Sequence, residues 1–496
     1  MLFTVIGWGR TIVVRNGSEL LSAPNSRYVI KTTVDLKGKT VKILDGCCLV
    51  FKSNGKIVNG TIVGNKTKLK SLKCGCFGVK VEGSWVVSKI CDDFFDFCLL
   101  TDNQVLDNIS AMQSDRIKNT IILRRGKYSV VLSEKHKSAL LLKSNTILKS
   151  SSDIVVEGND LTSYSVLKIG SSSNVRIYGG SITGDVGNHT YRTGTTSEWG
   201  FGISLGSSKD VIIDGVTISR CTGDGIYIGG GKGEYVGDYT NASKNIQLLN
   251  VISTGNRRQG VSITCADGVV IRNCKLSDTG KYELTSPGCG LDIEPNEGQS
   301  VRNVTVTGCE FNNNGDIMDA SVGGYVAEGS RCNIEGILFN NCIFSGRLSI
   351  RSGSLIVKDC SMATLSIHLA KMPKNKVLIE RSQITGGSGV IVRSTGRTTS
   401  VENMPEYVFR NCSINMQEAL TPAIFSTINH KGNEVANFVI DGGSISYPSG
   451  NKRFALIQSK TTCSFDFSNC QINPKEQSLD LTNKMFRNCQ IRKDIK

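Results

Sequence analysis

The chain contains no apolar run approaching the roughly 18 residues of a membrane-spanning helix, so no helical span is expected. Its start, "MLFTVIGWGRTIVV", lacks a basic n-region, a full h-region and a small-residue cleavage site, so no signal peptide is visible. Histidine is limited to four residues, and a Ser/His/Asp triad is not indicated. Aromatic residues make up 6% and no basic tail exists, which argues against nucleic acid as the partner. No Asp-rich loop has calcium-loop spacing, and no CxxC pair has a matching Cys or His set beyond "CGC" at Cys74 and Cys76. Neither a metal nor a cofactor is therefore expected.

What is present points to strands. Ser, Thr, Asn, Val and Ile are abundant, and 53 glycines stand beside only 8 prolines, a mixture that favours strands joined by tight polar turns. The formal net charge is +15, carried by lysines and arginines scattered along the chain. Diffuse positive charge suits an anionic partner such as an acidic polysaccharide or an anionic cell surface. The 18 cysteines recur at one phase: "RNC" at Cys274, "TGC" at Cys309, "NNC" at Cys342, "KDC" at Cys360, "RNC" at Cys412, "SNC" at Cys470 and "RNC" at Cys489. A cysteine recurring before an apolar strand position reads as a small buried hydrophobe stacked on its equivalents, not as half of a disulfide.

That phase belongs to a repeat. Successive lines read "FGISLGSSKDVIIDGVTISRC", "QGVSITCADGVVIRNCKLSDTG" and "CGLDIEPNEGQSVRNVTVTGCEFNNNG", with weaker lines to the end of the chain. Each has a Gly-led strand, a polar turn, a second strand and a further turn. Strands this short bury a face only when stacked as coils, so an all-β parallel β-helix is predicted. Residues 1–100 form a strand-rich N-terminal segment and 101–400 the β-helix. Residues 401–496 are either further coils or a C-terminal β segment. The one amphipathic helix, near 102–116, carries Val105, Ile109 and Met112 at helical spacing and is expected to cap the first coil.

The candidate site follows from strand alternation. With Leu291 and Ile293 facing the core, Asp292 and Glu294 point the other way. Aligning lines by their leading Gly puts Ser204, Tyr227, Ser262, Asp292 and Val326 in one outward column. Gly206, Gly229, Thr264 and Glu294 fall in the next. Asp224, Arg257, Arg258 and Gln259 sit on the turns just before these strands. Longer loops bring His189, Tyr191, Trp199, Tyr235, Tyr239 and Tyr282 as groove walls. Paired carboxylates are the equipment of glycoside hydrolysis. Alternate residues on a strand lie roughly 7 Å apart at the backbone, nearer the inverting than the retaining separation. Asp292, Glu294 and Asp224 are the candidate catalytic acids. Arg257, Arg258, Gln259, Tyr227, Tyr282, Trp199 and His189 are candidate substrate-binding residues, the arginines suited to a uronate or sulfate.

The run "GDGIYIGG … NRRQGVSITCADGVVIRNCKLSDTG … GCGLDIEPNEG" resembles right-handed parallel β-helix proteins of the pectin-lyase-like superfamily, most of all the group common in gut Bacteroidetes and their phages. "YVIKTTVDLKGKTV … LVFKSNGKIVNGTIVGN" is similar to the same group. The resemblance implies a right-handed solenoid acting on or binding polysaccharide. The "NTD", paired "DD" and "RIK" motifs of polygalacturonases are absent. The resemblance further implies a phage tailspike or depolymerase, a homotrimer, and an extracellular or virion-surface location. The alternatives are a non-catalytic receptor-binding or structural fibre, or a uronan lyase or epimerase.

Overall fold

A computed structural model describes residues 9–21, 23–230, 241–282, 288–315, 318–323, 333–369, 376–394, 405–416, 423–428, 436–446, 455–458, 463–473 and 485–491. The chain divides into two compact units, Met1–Ser204 with Ser208–Ser219, and Leu205–Ser207 with Arg220–Lys496.

Parallel pairing starts with the first strand of the first unit. Arg10–Val14, Ser26–Ile30, Cys48–Phe51 and Lys56–Lys70 pair parallel in that order, and Phe77–Val86 follows. The N-terminal segment is thus built of parallel layers too. The helix spans Asp102–Met112, shorter at its C-terminal end than the sequence suggested. Thr101 starts it with a capping box: its hydroxyl accepts from the Gln104 amide while the Gln104 side chain takes the Thr101 N–H. Val105, Leu106, Ile109 and Met112 are buried. Asn108 joins them and satisfies the strand edge it covers, accepting from Val81 N at 2.7 Å and donating to Val79 O at 2.9 Å. The expected cap is therefore both apolar and hydrogen-bonded.

In the second unit each coil contributes three short strands, which stack into three ladders. One begins with Ile226–Gly229, Val261–Ile263, Leu291–Ile293 and Met318–Val322, all parallel. A second runs Ser243–Leu249, Ala266–Arg272, Ser300–Thr307 and Asn333–Asn340. The third runs Ile252–Thr254, Lys275–Ser277 and Glu310–Asn312. The second ladder continues through Lys376–Glu380, Glu406–Asn415 and Asn437–Ser446, so parallel coils extend past residue 400. This is the predicted parallel β-helix. Leu291, Ile293, Val304, Val306 and Phe311 are at most 1% exposed, and each such side chain contributes about 1.5–3 kcal/mol on burial. In the last coils the ladder turns aromatic, with Tyr407, Phe438 and Phe465 stacked at ring distances of 5.1 and 4.9 Å.

The "NC" phase has a physical cause at each turn. Asn273, Asn341, Asn411, Asn469 and Asn488 hold positive φ, the left-handed region that Asn tolerates. The next residue then points into the core. Cys274, Cys309, Cys342 and Cys360 stack there as free thiols. Cys274 N and Cys342 N each donate to the sulfur one coil on, both at 3.4 Å. The Cys309 and Cys342 thiols are pushed up to about 12, first by hydrogen bonding with the preceding thiol and then by burial.

Candidate active site

All three candidate acids converge in the second unit. Asp224 precedes the strand Ile226–Gly229 and is 1% exposed. It accepts from Ser262 Oγ at 2.8 Å and from the Gln259 N–H at 3.3 Å. Gln259 reaches across the coils: its Nε2 donates to Asp292 Oδ2 at 3.3 Å, while its buried Oε1 has no hydrogen-bond partner. The chain of contacts is therefore Asp224, Ser262 and Gln259, then Asp292. Glu294 completes it with a side-chain hydrogen bond to Asp292.

Asp292 lies between Ser262 and Ser321 in register, and it is 2% exposed. Burial pushes its carboxyl well above the usual range, and the adjacent Glu294 charge and hydrogen bond push it further. Arg351 opposes this, and Asp224 adds to it. The net direction for the Asp292 carboxyl is upward. The same charges, after burial itself, raise the Cys289 thiol well above its ordinary value.

One expectation changes. The acids do point away from the Leu/Ile core, but the face is not an open floor at this point: Ser262, Asp292 and Ser321 are 6%, 2% and 0% exposed. The Asp292 and Glu294 carboxyls act on each other along this face.

The other candidates separate. Tyr227 is half-buried, hydrogen-bonded to Thr264 Oγ1 at 2.9 Å, and its phenol is raised chiefly by burial. Arg257 is 8% exposed, and its Nη1 points to Thr222 O at 3.5 Å, so its guanidinium is turned to the backbone of the preceding turn. Arg258 is partly buried on the same turn, where its N–H donates to Gly223 O. Tyr282 is exposed, with the Arg220 guanidinium 5.5 Å over its ring. Trp199 and His189 lie in the first unit. Trp199 is 52% exposed. The His189 side chain is sealed, held through Nδ1 to Asp185 at 2.8 Å, and Tyr164 OH donates to the same carboxylate group. That cluster is buried within its own unit and offers no surface wall. Tyr191 OH donates to Val186 O at 3.3 Å. Tyr235, Tyr239 and Val326 lie outside the described residues.

Register corrects one column and extends it. Asp292 pairs with Ser321, not Val326, because the next strand is Met318–Val322, led by Asp319 instead of a glycine. The column then runs Ser349 and Ser366. Beside it, two residues past each column position, stand Glu294, Gly323, Arg351, His368 and Arg393. Sequence reading missed Arg351, His368 and Arg393, although "LSIR", "LSIH" and "VIVR" carry the signal. Among the described residues no group of three His, Cys, Asp or Glu side chains is arranged to hold a metal ion, and no helix is long and apolar enough to cross a membrane.

Among curated proteins, the chain is 37% identical over 139 residues to the uncharacterized protein YclG of Bacillus subtilis (strain 168), covering 27% of this chain and 24% of that one. It is 28% identical over 279 residues to the SPbeta prophage-derived uncharacterized protein YorA of the same strain, covering 52% and 46%. The chain thus spans less than half the length of either relative. Among solved structures, the tailspike protein of E. coli bacteriophage HK620 in complex with pentasaccharide matches with TM-score 0.46 and 14% identity, over 79% of this chain and 74% of that one. The A-module of Azotobacter vinelandii mannuronan C-5 epimerase AlgE6 matches with TM-score 0.41 and 13% identity, over 74% and 96%. The family model described as "Right handed beta helix region" matches residues 109–296 and 239–405. These overlapping matches cover more than half of the chain, which therefore belongs to the right-handed β-helix family.

Proposed function

We propose that the protein binds a polysaccharide along this ladder and cleaves it with its carboxyl cluster. Asp292 is the general acid: kept protonated by burial and by Glu294, it gives its proton to the leaving glycosidic oxygen. Glu294, part-exposed just past the same strand, is the partner that activates water or faces the developing positive charge. Gln259, held by Asp224 through its backbone N–H, orients Asp292 through the 3.3 Å amide contact. The observation that carries this reading is a buried carboxyl, pushed above its ordinary range, beside a second carboxyl.

A phage setting is part of the same proposal. The prophage origin of the YorA relative supports a virion-surface or extracellular depolymerase. A homotrimer is proposed with it: Leu338, Ile356, Leu378 and Val408 form an outward apolar stripe in register, with Ile356 42% exposed, where copies would meet. Light scattering of the purified chain tests that number.

A binding-only protein is the second reading, favoured by the 2% exposure of Asp292 and its closure onto Glu294. The deciding experiment incubates wild type and Asp292→Asn with bacterial capsular and plant acidic polysaccharides and reads chain length, reducing ends and ultraviolet absorbance. Cleavage by wild type alone supports the hydrolase. Unsaturated products would move the chemistry to a lyase. Equal binding without cleavage would make this a recognition protein.

A further inference from the structure

Beyond the acids, the same outward column turns basic. Arg351 follows Glu294 by two coils, with Gly323 between them contributing no side chain. His368 and Arg393 follow on the next two coils. Coils stack at about 4.8 Å, so Arg351 and Arg393 are about 10 Å apart along the ladder. Among the described residues neither arginine is ion-paired with a carboxylate. Arg393 Nε donates only to Ser366 Oγ at 3.2 Å, and the buried Arg351 Nε has no hydrogen-bond partner. His368 Nε2 contacts Ser349 Oγ at 3.4 Å. Burial, then Arg351, Arg393 and Arg347, pushes His368 down to about 3, so it is neutral and adds no competing charge between the arginines. Two guanidinium groups outside any ion pair, two coils apart with a neutral imidazole between them, form a track for an anionic chain, Arg351 also acting on the Asp292 carboxyl at one end. Guanidinium favours carboxylate and sulfate oxygens through its planar pair of donors.

We infer that Arg351 and Arg393 hold successive anionic substituents of the glycan, so that the substrate is an acidic polysaccharide whose charged groups recur at about the two-coil spacing. This rests on the polysaccharide reading of the neighbouring acids. It assigns anion recognition to this column and not to Arg257, whose Nη1 is directed to Thr222 O. Duplex DNA, a polyanion of another class, is the alternative that the binding experiment separates.

The test uses the full chain carrying Asp292→Asn, so that ligand is not consumed. Binding of polygalacturonate, dextran sulfate, neutral dextran and duplex DNA is measured by affinity electrophoresis at several salt concentrations. Arg393→Gln and Arg351→Gln are then compared, with thermal melting as the folding control. The expected result is binding of polygalacturonate or dextran sulfate, weakened about tenfold by Arg393→Gln, with a shallower salt dependence and an unchanged melting temperature. Preference for polygalacturonate assigns a carboxylate, and preference for dextran sulfate a sulfate ester. Binding of neutral dextran that both arginine variants retain would overturn the inference and leave the polysaccharide reading standing. Binding of DNA alone, or of no glycan, would overturn both.

Discussion

Two columns on the same coils are equally buried and chemically opposite. Cys274, Cys309, Cys342 and Cys360 are 1–2% exposed, and so is Asp292; Ser321, Ser349 and Ser366 are 0–1%. In the cysteine column three sulfurs find a carbonyl on the coil before, Cys274 at Leu248 O, Cys309 at Ile271 O and Cys342 at Val306 O, all at 3.5–3.6 Å, and Cys360 finds Lys358 O at 3.1 Å. That column needs nothing from outside. In the serine and aspartate column Ser321 Oγ has no partner, Gln259 Oε1 has none, and two carboxyls crowd each other. Buried polar atoms left unmatched cost about 1–3 kcal/mol each, so a structural column would not be expected to accumulate them. Burial therefore does not separate these two columns; hydrogen-bond satisfaction does.

The sharpest way to break the contrast is to move a carboxyl into the satisfied column. Cys342→Asp should destabilise by about 3–5 kcal/mol, because no cation stands there, and denaturant unfolding measures it. The reverse change removes the crowding. Asp292 is raised in the folded protein, so its stabilising contribution is present below the ordinary carboxylate pKa of about 4 and is lost as pH rises through its folded value. Asp292→Asn should then match wild type in acid and become the more stable protein towards pH 9, by about 1.4 kcal/mol per unit of upshift. Parallel melting curves across that range would show that Asp292 is not the proton-holding group. Cys309→Ala should cost about 1–2 kcal/mol for the lost sulfur contacts, with no change in glycan binding. The smallest effect belongs to the turns: Asn341→Ala should cost about 1 kcal/mol at its φ of 53°, while Asn341→Gly should stay near wild type. Thiol labelling of the native protein should stop at exposed residues such as Cys74 and Cys98, and reach the column only after unfolding.

Much of this was legible before the structure. Period-two alternation in "GLDIE" puts Asp292 and Glu294 on one face whatever else the chain does. The recurring "NC" marks a left-handed turn followed by a core position. The Arg351, His368 and Arg393 column was hidden by "GGYVAEG", which imitates a Gly-led strand and shifts the alignment, whereas the ladder takes "MDASV". His189 read as a loop residue near the acids, yet its partner is Asp185, four residues away and equally sealed. No local pattern announces that pairing.

The sequence alone determined the coil, its period and which side of each strand a residue takes, because those follow from backbone geometry repeated line after line. Only the tertiary structure decided that Asp292 is closed off, that it meets Glu294 and that Gln259 links it towards Asp224. Those contacts depend on how side chains from neighbouring coils, some 30 residues apart in sequence, fill the same space once stacked.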